Sequence, residues 1–552
     1  YSMNWKKIQD LPYKFDEVLS SDKFDDVILY CHNDVDATYE FFKKSEKMVE
    51  LRFAQQAENL HLELFNKSDS SIGEMLFLDM MSDKLDMEKK YLKKMQTRRD
   101  FINLKDVILP YIKFETDEFN SVLEFFKEQT ITEATKDALK HCLIFDGMDY
   151  FYGLGGLHAA RGNSIFQSDE DNIILSVDFA SFYPNISIKN KFYPEHLSES
   201  FCILYEELFE KRKLIPKSNP QNTAIKLLLN ATFGKAGDEY SFLYDKFFQM
   251  AITVNGQLIL SMLCEQLSKI EGVRMVMANT DGCELIVPKS KKREVYNVCL
   301  GIEELTQLQL EYDVYNKLFV RDINNYLSVN TKGKVKTKGA FDIDLELHKN
   351  RSERIVPLAV KRYFVNNIPV EETVKNHLSS GNYEDLENQG IYDFCIGKKI
   401  QSNQNYTIED SGENIIKNIK DKVIRFYVST DGDYLKKNYS DGRKEITVGG
   451  NKMTMFMDYY DSENYNVDYD YYINQAYKII HNVDGTAEKL EQEAKEKREQ
   501  AKKDKEYENY KKYCLDKVPT NRQREMYSKS WLIEKYGNPS EIKPSKIKES
   551  TQ

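Results

Sequence analysis

The sequence predicts an α+β protein of several domains, and three observations carry that prediction. The chain has 552 residues, too long for one hydrophobic core and enough for about three or four. Short β-prone apolar runs, Asn172-Ile-Ile-Leu-Ser-Val-Asp178 and Val273 to Val287, are separated by long stretches whose apolar residues fall at helical spacing. The second run is broken at Asn279-Thr-Asp-Gly282, turn chemistry that folds it into a hairpin with the carboxylate of Asp281 at its tip.

From the N-terminus, Asp25 to Phe42 reads as a helix on which Tyr30 and Asp34, four apart, share one face. From about 46 to 150 the chain is charged, poor in glycine and helical, with apolar residues at helical spacing from Met75 to Leu85. Phe151-Tyr-Gly-Leu-Gly155-Gly156-Leu-His158 is a glycine cluster, where backbone can approach another group closely. The strand ending at Asp178 leads into Phe179-Ala-Ser-Phe-Tyr-Pro-Asn185, in which Pro184 stops further sheet pairing. Two helices follow, roughly 198 to 214 and 221 to 236, split by the breaker Pro216-Lys-Ser-Asn-Pro220. The first carries Glu210-Lys-Arg212-Lys213; the second carries Lys226, Asn230 and Phe233 on one face. Phe247 to Leu263 reads as a buried helix, the hairpin comes next, and Arg321 to Gly339 reads as strand, turn and strand with repeated lysines, which as a bare pattern would guard a sheet edge. A mixed segment from about 373 to 482 precedes a charged tail from about 483, helix-forming from Thr486 to Lys512 and of mixed sign, with a basic stretch from Lys543 to Lys548.

Composition excludes some classes and leaves others open. The net charge of -11 says nothing of where Lys and Arg sit, so it does not exclude a nucleic-acid partner. Eight cysteines without a CxxC pair signal neither a zinc site nor a disulfide framework, and a reducing cytoplasm is the expected compartment, that of a host cell if a phage encodes the chain. No uninterrupted apolar run is long enough for a bilayer, and no signal peptide is visible, so no membrane partner is expected. A start at Tyr1 rather than Met suggests a fragment, a processed product or one chain of a divided protein.

Taken in order, DxxSFYP from Asp178, KxxxNxxFG from Lys226 and NTDG from Asn279 resemble the three polymerase motifs of family B DNA polymerases, most like those of tailed phages. Each motif alone is weak; the ordered set is specific. The resemblance implies a right-hand architecture: a palm with an antiparallel sheet at 151–197 and 238–372, helical-hairpin fingers at 198–237 and a mixed thumb at 373–482. A helical connecting region at 46–150 would precede it, and a charged helical tail at 483–552 would follow. Tyr30 and Asp34 resemble the third motif of the family's 3′–5′ exonuclease, which makes 1–45 the end of such a domain. Exonuclease activity of this chain alone is not expected, since only one of the usual metal-binding carboxylates is present.

The implied chemistry is transfer of deoxyribonucleotides from dNTPs to the 3′ hydroxyl of a primed DNA template. Charge grows on the attacking and leaving oxygens, and two hard cations stabilise both. Mg²⁺, with Mn²⁺ as a substitute, prefers carboxylates and keeps waters and phosphates, so Asp178, Asp281 and the carbonyl of Phe179 are the expected ligands, with the two aspartates catalytic. The family usually has Asp where this chain has Asn279. Ser181, Phe182, Tyr183, Arg212, Lys226, Asn230 and Phe233 are the implied nucleotide-binding set. In it Arg212 forks onto phosphate, Lys226 acts as a point charge, and Tyr183 blocks a 2′ hydroxyl. Gly155 and Gly156 resemble a template-contacting YxGG element in which Gly153 replaces the tyrosine. Tyr326 and Lys338 resemble a primer-gripping KKxY region in which Asn324 and Asn325 replace the lysines. Lys398, Lys399 and the run from Lys417 to Arg425 are read as facing duplex phosphates. The motif intervals leave no room for the insertions of protein-primed relatives. A separate N-terminal exonuclease chain or other replisome proteins are the expected partners. The alternative, motivated by Asn279 and the short exonuclease portion, is a polymerase-derived DNA-binding subunit without turnover; Tyr183 argues against ribonucleotide chemistry.

Overall fold

The computed structural model describes residues 2–14, 16–132, 139–343, 346–379, 388–400, 405–409, 416–419, 421–487, 489, 495–502, 504 and 505. The chain divides into two compact units, Tyr1–Val483 and Asp484–Gln552. In the second, the described residues from 495 to 505 are helical; the rest of the predicted tail helix and the basic stretch Lys543–Lys548 lie outside the described residues.

The first unit is organised around a ten-stranded sheet in which every pairing is antiparallel. Its strands are β1 (His141–Phe145), β2 (Met148–Tyr152), β3 (His158–Ala160), β4 (Ser164–Gln167), β5 (Asn172–Phe179), β6 (Arg274–Asn279), β7 (Gly282–Pro288), β8 (Leu310–Asp322), β9 (Asn325–Asn330) and β10 (Val335–Lys338). Across the sheet the order is β10, β9, β8, β5, β7, β6, β3, β2, β1, with β4 pairing β8. Alternation assigns the faces. Leu175, Val177 and Phe179 of β5, with Cys283, Leu285 and Val287 of β7, enter the main hydrophobic core. Ser176, Asp178, Gly282 and Glu284 fall on the opposite face, beside a smaller cluster that includes Ile174, Tyr315 and Tyr326.

The predicted buried helix is Lys246–Ser268, and it packs on β6 and β7. Its length and hydropathy suit a bilayer span, yet 89% of that window is buried inside the protein. The polar residues along it hold loops. Asn255 bonds the backbone of Val107 and Leu109 at 2.7 and 2.9 Å, and Glu265 accepts from the amides of Glu115 and Thr116 at 2.9 and 2.8 Å. The helix pair is Ser200–Lys213 and Pro220–Lys235, and the second packs on Asp69–Leu85. That crossing needs Gly73, where a Cβ would stand 2.8 Å from Cβ of Ala231 and 3.2 Å from Cα of Leu228.

Two expectations are corrected. The region 46–150 is not helical throughout: β1 and β2 form a hairpin of the large sheet, closed by Asp146 and Gly147, whose φ angles of 48° and 64° suit a tight turn. Arg425 does not face phosphate. It is 1% exposed in Val423–Asn438 of a six-stranded second sheet, and its guanidinium donates to the carbonyls of Phe456 at 2.7 Å and Trp5 at 2.6 Å. Tyr392 and Phe456 cover it, so burial holds its pKa below the usual arginine value while carbonyls take up its donors. Lys398, also in this sheet, lies 4.5 Å over the ring of Tyr406.

The N-terminal helix Phe24–Lys44 has no buried residue, and Ile28, Leu29, Val35, Phe41 and Phe42 are exposed on it. Trp5 donates to Asn33 on this helix at 2.9 Å.

Candidate active site

The site forms where β5 ends against the turn joining β6 to β7. Asp178 pairs in register with Gly282, and the amide of Phe179 donates to the carbonyl of Asp281 at 2.7 Å. Thr280 adopts a left-handed φ of 60° at the tip, and its amide donates to Leu157 at 2.8 Å, fixing the turn to the glycine loop. Gly282 has no substitute here, because a Cβ at that position would fall on Oδ1 of Asp178.

Both carboxylates are pushed above the ordinary aspartate range. For Asp178 the first cause is burial, followed by the charges of Asp281 and Glu311; a hydrogen bond from Ser176 at 3.0 Å and the charge of Lys336 oppose the rise. For Asp281 the cause is again burial, opposed by a backbone hydrogen bond and by Lys336 and Lys338. Two crowded, desolvated carboxylates are stabilised by a cation. Among the described residues no group of three or more His, Cys, Asp or Glu is arranged to hold a metal. The donor set fits Mg²⁺ nonetheless, since that ion keeps several waters and takes phosphate oxygens beside one or two carboxylates.

Around this pair stand most of the residues picked from the sequence. Stacked rings run from Phe179 to Phe182 at 4.3 Å and on to Tyr183 at 5.8 Å, and a tilted contact at 4.9 Å joins Tyr183 to Phe233 of the second hairpin helix. The Tyr183 hydroxyl donates to the carbonyl of Gly155 at 2.9 Å. Burial, then the charge of Asp281, pushes its pKa up. A Cβ on Gly156, whose φ is 147°, would stand 3.3 Å from both Thr280 and the Tyr183 hydroxyl, so the glycine loop rests directly on the site. Ser181 begins the helix Phe182–Asn190 with a left-handed φ of 47°, and its hydroxyl accepts from Arg212 at 3.4 Å. Lys226 and Asn230 are exposed on the same helix as Phe233. On the other flank Tyr326 pairs with Lys338, whose Nζ lies 5.7 Å from the ring centre. Tyr30 and Asp34 lie on the N-terminal helix Phe24–Lys44, where a hydrogen bond from Tyr30 to Asp34 is the main cause of a raised tyrosine pKa.

Several neighbours escape the sequence reading. Glu311 pairs in register with Asp178. Lys336, 5.9 Å over the Tyr326 ring, bears on both aspartates. His158 pairs with Asn279 and its Nδ1 donates to Oδ1 at 3.1 Å. Glu284, 6% exposed, is pushed up to about 8 by burial and then by Asp178. Ser176 stands between Glu284 and Asp178, 3.5 Å from the one and 3.0 Å from the other. Its single proton goes to Asp178, and Glu284, protonated below about pH 8, can donate to Ser176 in turn. Cross-strand register was the only signal for these residues, and a sequence without its pairing does not display it.

No protein-family model matches the chain. Over 208 residues it is 24% identical to DNA polymerase 1 of Pyrococcus abyssi, covering 30% of this chain and 27% of that protein. Over 211 residues it is 24% identical to a DNA polymerase of Thermococcus sp. (strain 9oN-7), covering 31% of this chain and 27% of that protein. The chain thus spans under a third of the length of the curated relatives it matches. The family B DNA polymerase structure from Pyrobaculum calidifontis superposes with a TM-score of 0.40 and 15% identity, over 84% of this chain and 57% of that one. Over the matched stretch the chain is homologous to archaeal DNA polymerases.

Proposed function

We propose that the chain is a template-directed DNA polymerase of the family B type, extending a primer with deoxyribonucleotides. The observation that carries this reading is the meeting of Asp178, near the end of β5, with Asp281, in the turn joining β6 to β7, through the 2.7 Å bond from Phe179 to Asp281. In this reading the large sheet is the palm, 198–237 the fingers and 373–482 the thumb. Tyr30 and Asp34 belong to the remnant of an exonuclease domain.

Two Mg²⁺ ions, or Mn²⁺ in their place, held by Asp178, Asp281 and the carbonyl of Phe179, would activate the primer oxygen and stabilise the leaving one. The protein's own residues do the remaining work. Arg212 and Lys226 neutralise the triphosphate, the first by a forked donor set and the second as a point charge. Tyr183, fixed by its bond to Gly155, excludes a 2′ hydroxyl from the sugar pocket. Asn230 and Phe233 test the shape of the new base pair. Lys336, Lys338 and Tyr326 hold the primer end, and Ser176 orients the Asp178 carboxylate by its 3.0 Å bond.

A second reading is a DNA-binding subunit without turnover. It draws on Asn279, whose side chain is bonded to His158 and brings no charge to the site. Extension of a primed template with dNTPs and Mg²⁺ decides between the two. Extension by the wild-type chain that is lost in Asp281→Asn supports the polymerase; DNA binding without incorporation at any divalent ion supports the subunit.

A further inference from the structure

The turn that presents Asp281 is strained. Thr280 sits at its tip with a φ of 60°, a conformation that a β-branched side chain rarely takes. The amide of Asp281 donates to the carbonyl of Asn279 at 2.6 Å, so the chain reverses within three residues. A turn of that span with a positive φ at its centre is a rare and strained form. Such backbone persists only where its surroundings over-determine it, so the groups that hold it also fix whatever it carries. Here it carries one of the two aspartates.

Two neighbouring strands supply the hold. Oδ1 of Asn279 accepts twice: from Nδ1 of His158 at 3.1 Å and from the Thr280 hydroxyl at 3.2 Å. The first bond crosses from β3, where His158 stands in register with Asn279; the second comes from the tip itself. One residue before His158, the carbonyl of Leu157 takes the Thr280 amide at 2.8 Å. Leu157 and Ala159 are both buried, so the strand that carries His158 is a fixed anchor. The turn is thus gripped twice from β3, once through backbone and once through the side chain of Asn279. Because Asn279 is an amide, this second grip adds no negative charge beside Asp178 and Asp281.

We propose that His158 is a positioning residue: acting through Asn279, it locks the Thr280 tip and so aims the Asp281 carboxylate at the cation it shares with Asp178. The proposal rests on the polymerase reading above. The route is short. His158 holds the Asn279 side chain, that side chain holds the Thr280 hydroxyl, and the Asn279 carbonyl holds the Asp281 amide. Without the imidazole donor, Oδ1 of Asn279 keeps only its bond to the tip, and nothing ties that pair of side chains to β3. A shift of about 1 Å in a group that orients a reacting centre is enough to cost about 10²-fold in rate.

The test uses the full chain and reads nucleotide incorporation, Mn²⁺ affinity from the paramagnetic resonance signal of the free ion, and melting in chelator. Mn²⁺ binding is counted as the part that Asp281→Asn abolishes. His158→Phe keeps a ring and removes the donor. It is expected to lower kcat and this Mn²⁺ affinity by about 10- to 100-fold each, the scale of losing a group that orients a metal ligand. Affinity for primed DNA without divalent ions should stay within about two-fold, because that binding does not use the aim of Asp281. His158→Asn, whose Nδ2 stands where Nδ1 of the imidazole does, should bring rate and Mn²⁺ affinity back to within about three-fold of the wild type. Asn279→Ala should lose at least as much as His158→Phe, and combining the two should add no more than about two-fold, since a residue acting through another adds nothing once that one is gone. Equal losses in His158→Asn and His158→Phe, or losses that multiply in the double variant, would overturn the proposal. If His158→Phe melts early, His158→Leu takes its place in the same contrasts. A wild type that binds Mn²⁺ through Asp281, weakens in His158→Phe and yet never extends a primer would sink the polymerase reading and keep the role of His158. Extension by the wild type with His158→Phe its equal in rate and Mn²⁺ affinity would do the reverse.

Discussion

Glu284→Gln isolates the electrostatics beneath the two aspartates. Glu284 is buried and its pKa stands at about 8 against an ordinary 4.5, raised by burial first and by Asp178 second. The folded chain therefore keeps a proton that the unfolded chain sheds. The sign follows: this site's stability is complete below pH 4.5 and is lost as pH rises to about 8. Each pH unit in that window costs about 1.4 kcal/mol, which amounts to about 3 kcal/mol between pH 4.5 and pH 7. Glutamine has the same shape, still meets Ser176 and carries no titrating proton. The melting temperature of the variant should therefore rise relative to the wild type as pH increases, with little difference near pH 4.5. Both proteins are measured in chelator, so that no cation competes for the site. A difference titration of the two proteins should in addition show one group ionising near pH 8. If that group ionises in the ordinary carboxylate range, or if the two melting profiles run parallel from acid to neutral pH, the account of a protonated Glu284 supporting Ser176 is wrong.

Three other changes test separate parts of the molecule. Asp178→Asn should lower nucleotide incorporation by at least about 10²-fold, the scale of losing one charged group aimed at a reacting centre, while raising metal-free thermal stability because burial already disfavours that charge. Incorporation within a few-fold of the wild type in a steady-state assay would refute its role. Gly282→Ala drives a methyl group into the Asp178 carboxylate and should cost about 1–3 kcal/mol of stability along with incorporation; a fully active variant with an unchanged melting curve would contradict the described turn. Asp393→Asn breaks a buried cluster in which Asp393 meets Arg354 at 2.8 Å and His377 at 2.7 Å, and should cost about 3–5 kcal/mol. Asp393 is held below the usual aspartate pKa, burial being outweighed by His377 and Arg354, so its contribution is present above the unfolded pKa and lost on acidification. Melting curves from pH 7 down to pH 3 should show the wild-type advantage shrinking with acid, and a constant gap would count against it.

What the sequence displayed follows from which forces are local. Asp178 at a strand end and Asp281 at a turn tip were visible because strand patterning and turn chemistry are written within a few residues. Phe182, Tyr183 and Phe233 were named from two motifs, but the ring contacts that join them are set by packing between distant segments, which the motifs do not display. Asp146-Gly147 carried the same hairpin signal as the turn at Asn279–Gly282, flanked by an alternating Met148 to Tyr152, but the helical character of the preceding residues masked it. Arg425 was misread because it follows several lysines, and nothing nearby announces that its acceptors are carbonyls of Trp5 and Phe456. Glu284 looked like an ordinary polar residue of a hairpin. Only the register that sets it opposite Ser176, beneath Asp178, gives it a charge problem to solve.

The Arg425 guanidinium holds backbone from both ends of the first unit, and the amide of Ile8 donates to Met457 at 2.8 Å beside it. The opening residues are thereby riveted to a sheet encoded more than four hundred positions later. Any swing of that sheet drags Trp5, and through Asn33 the bare-faced first helix, like a crank on a shared axle.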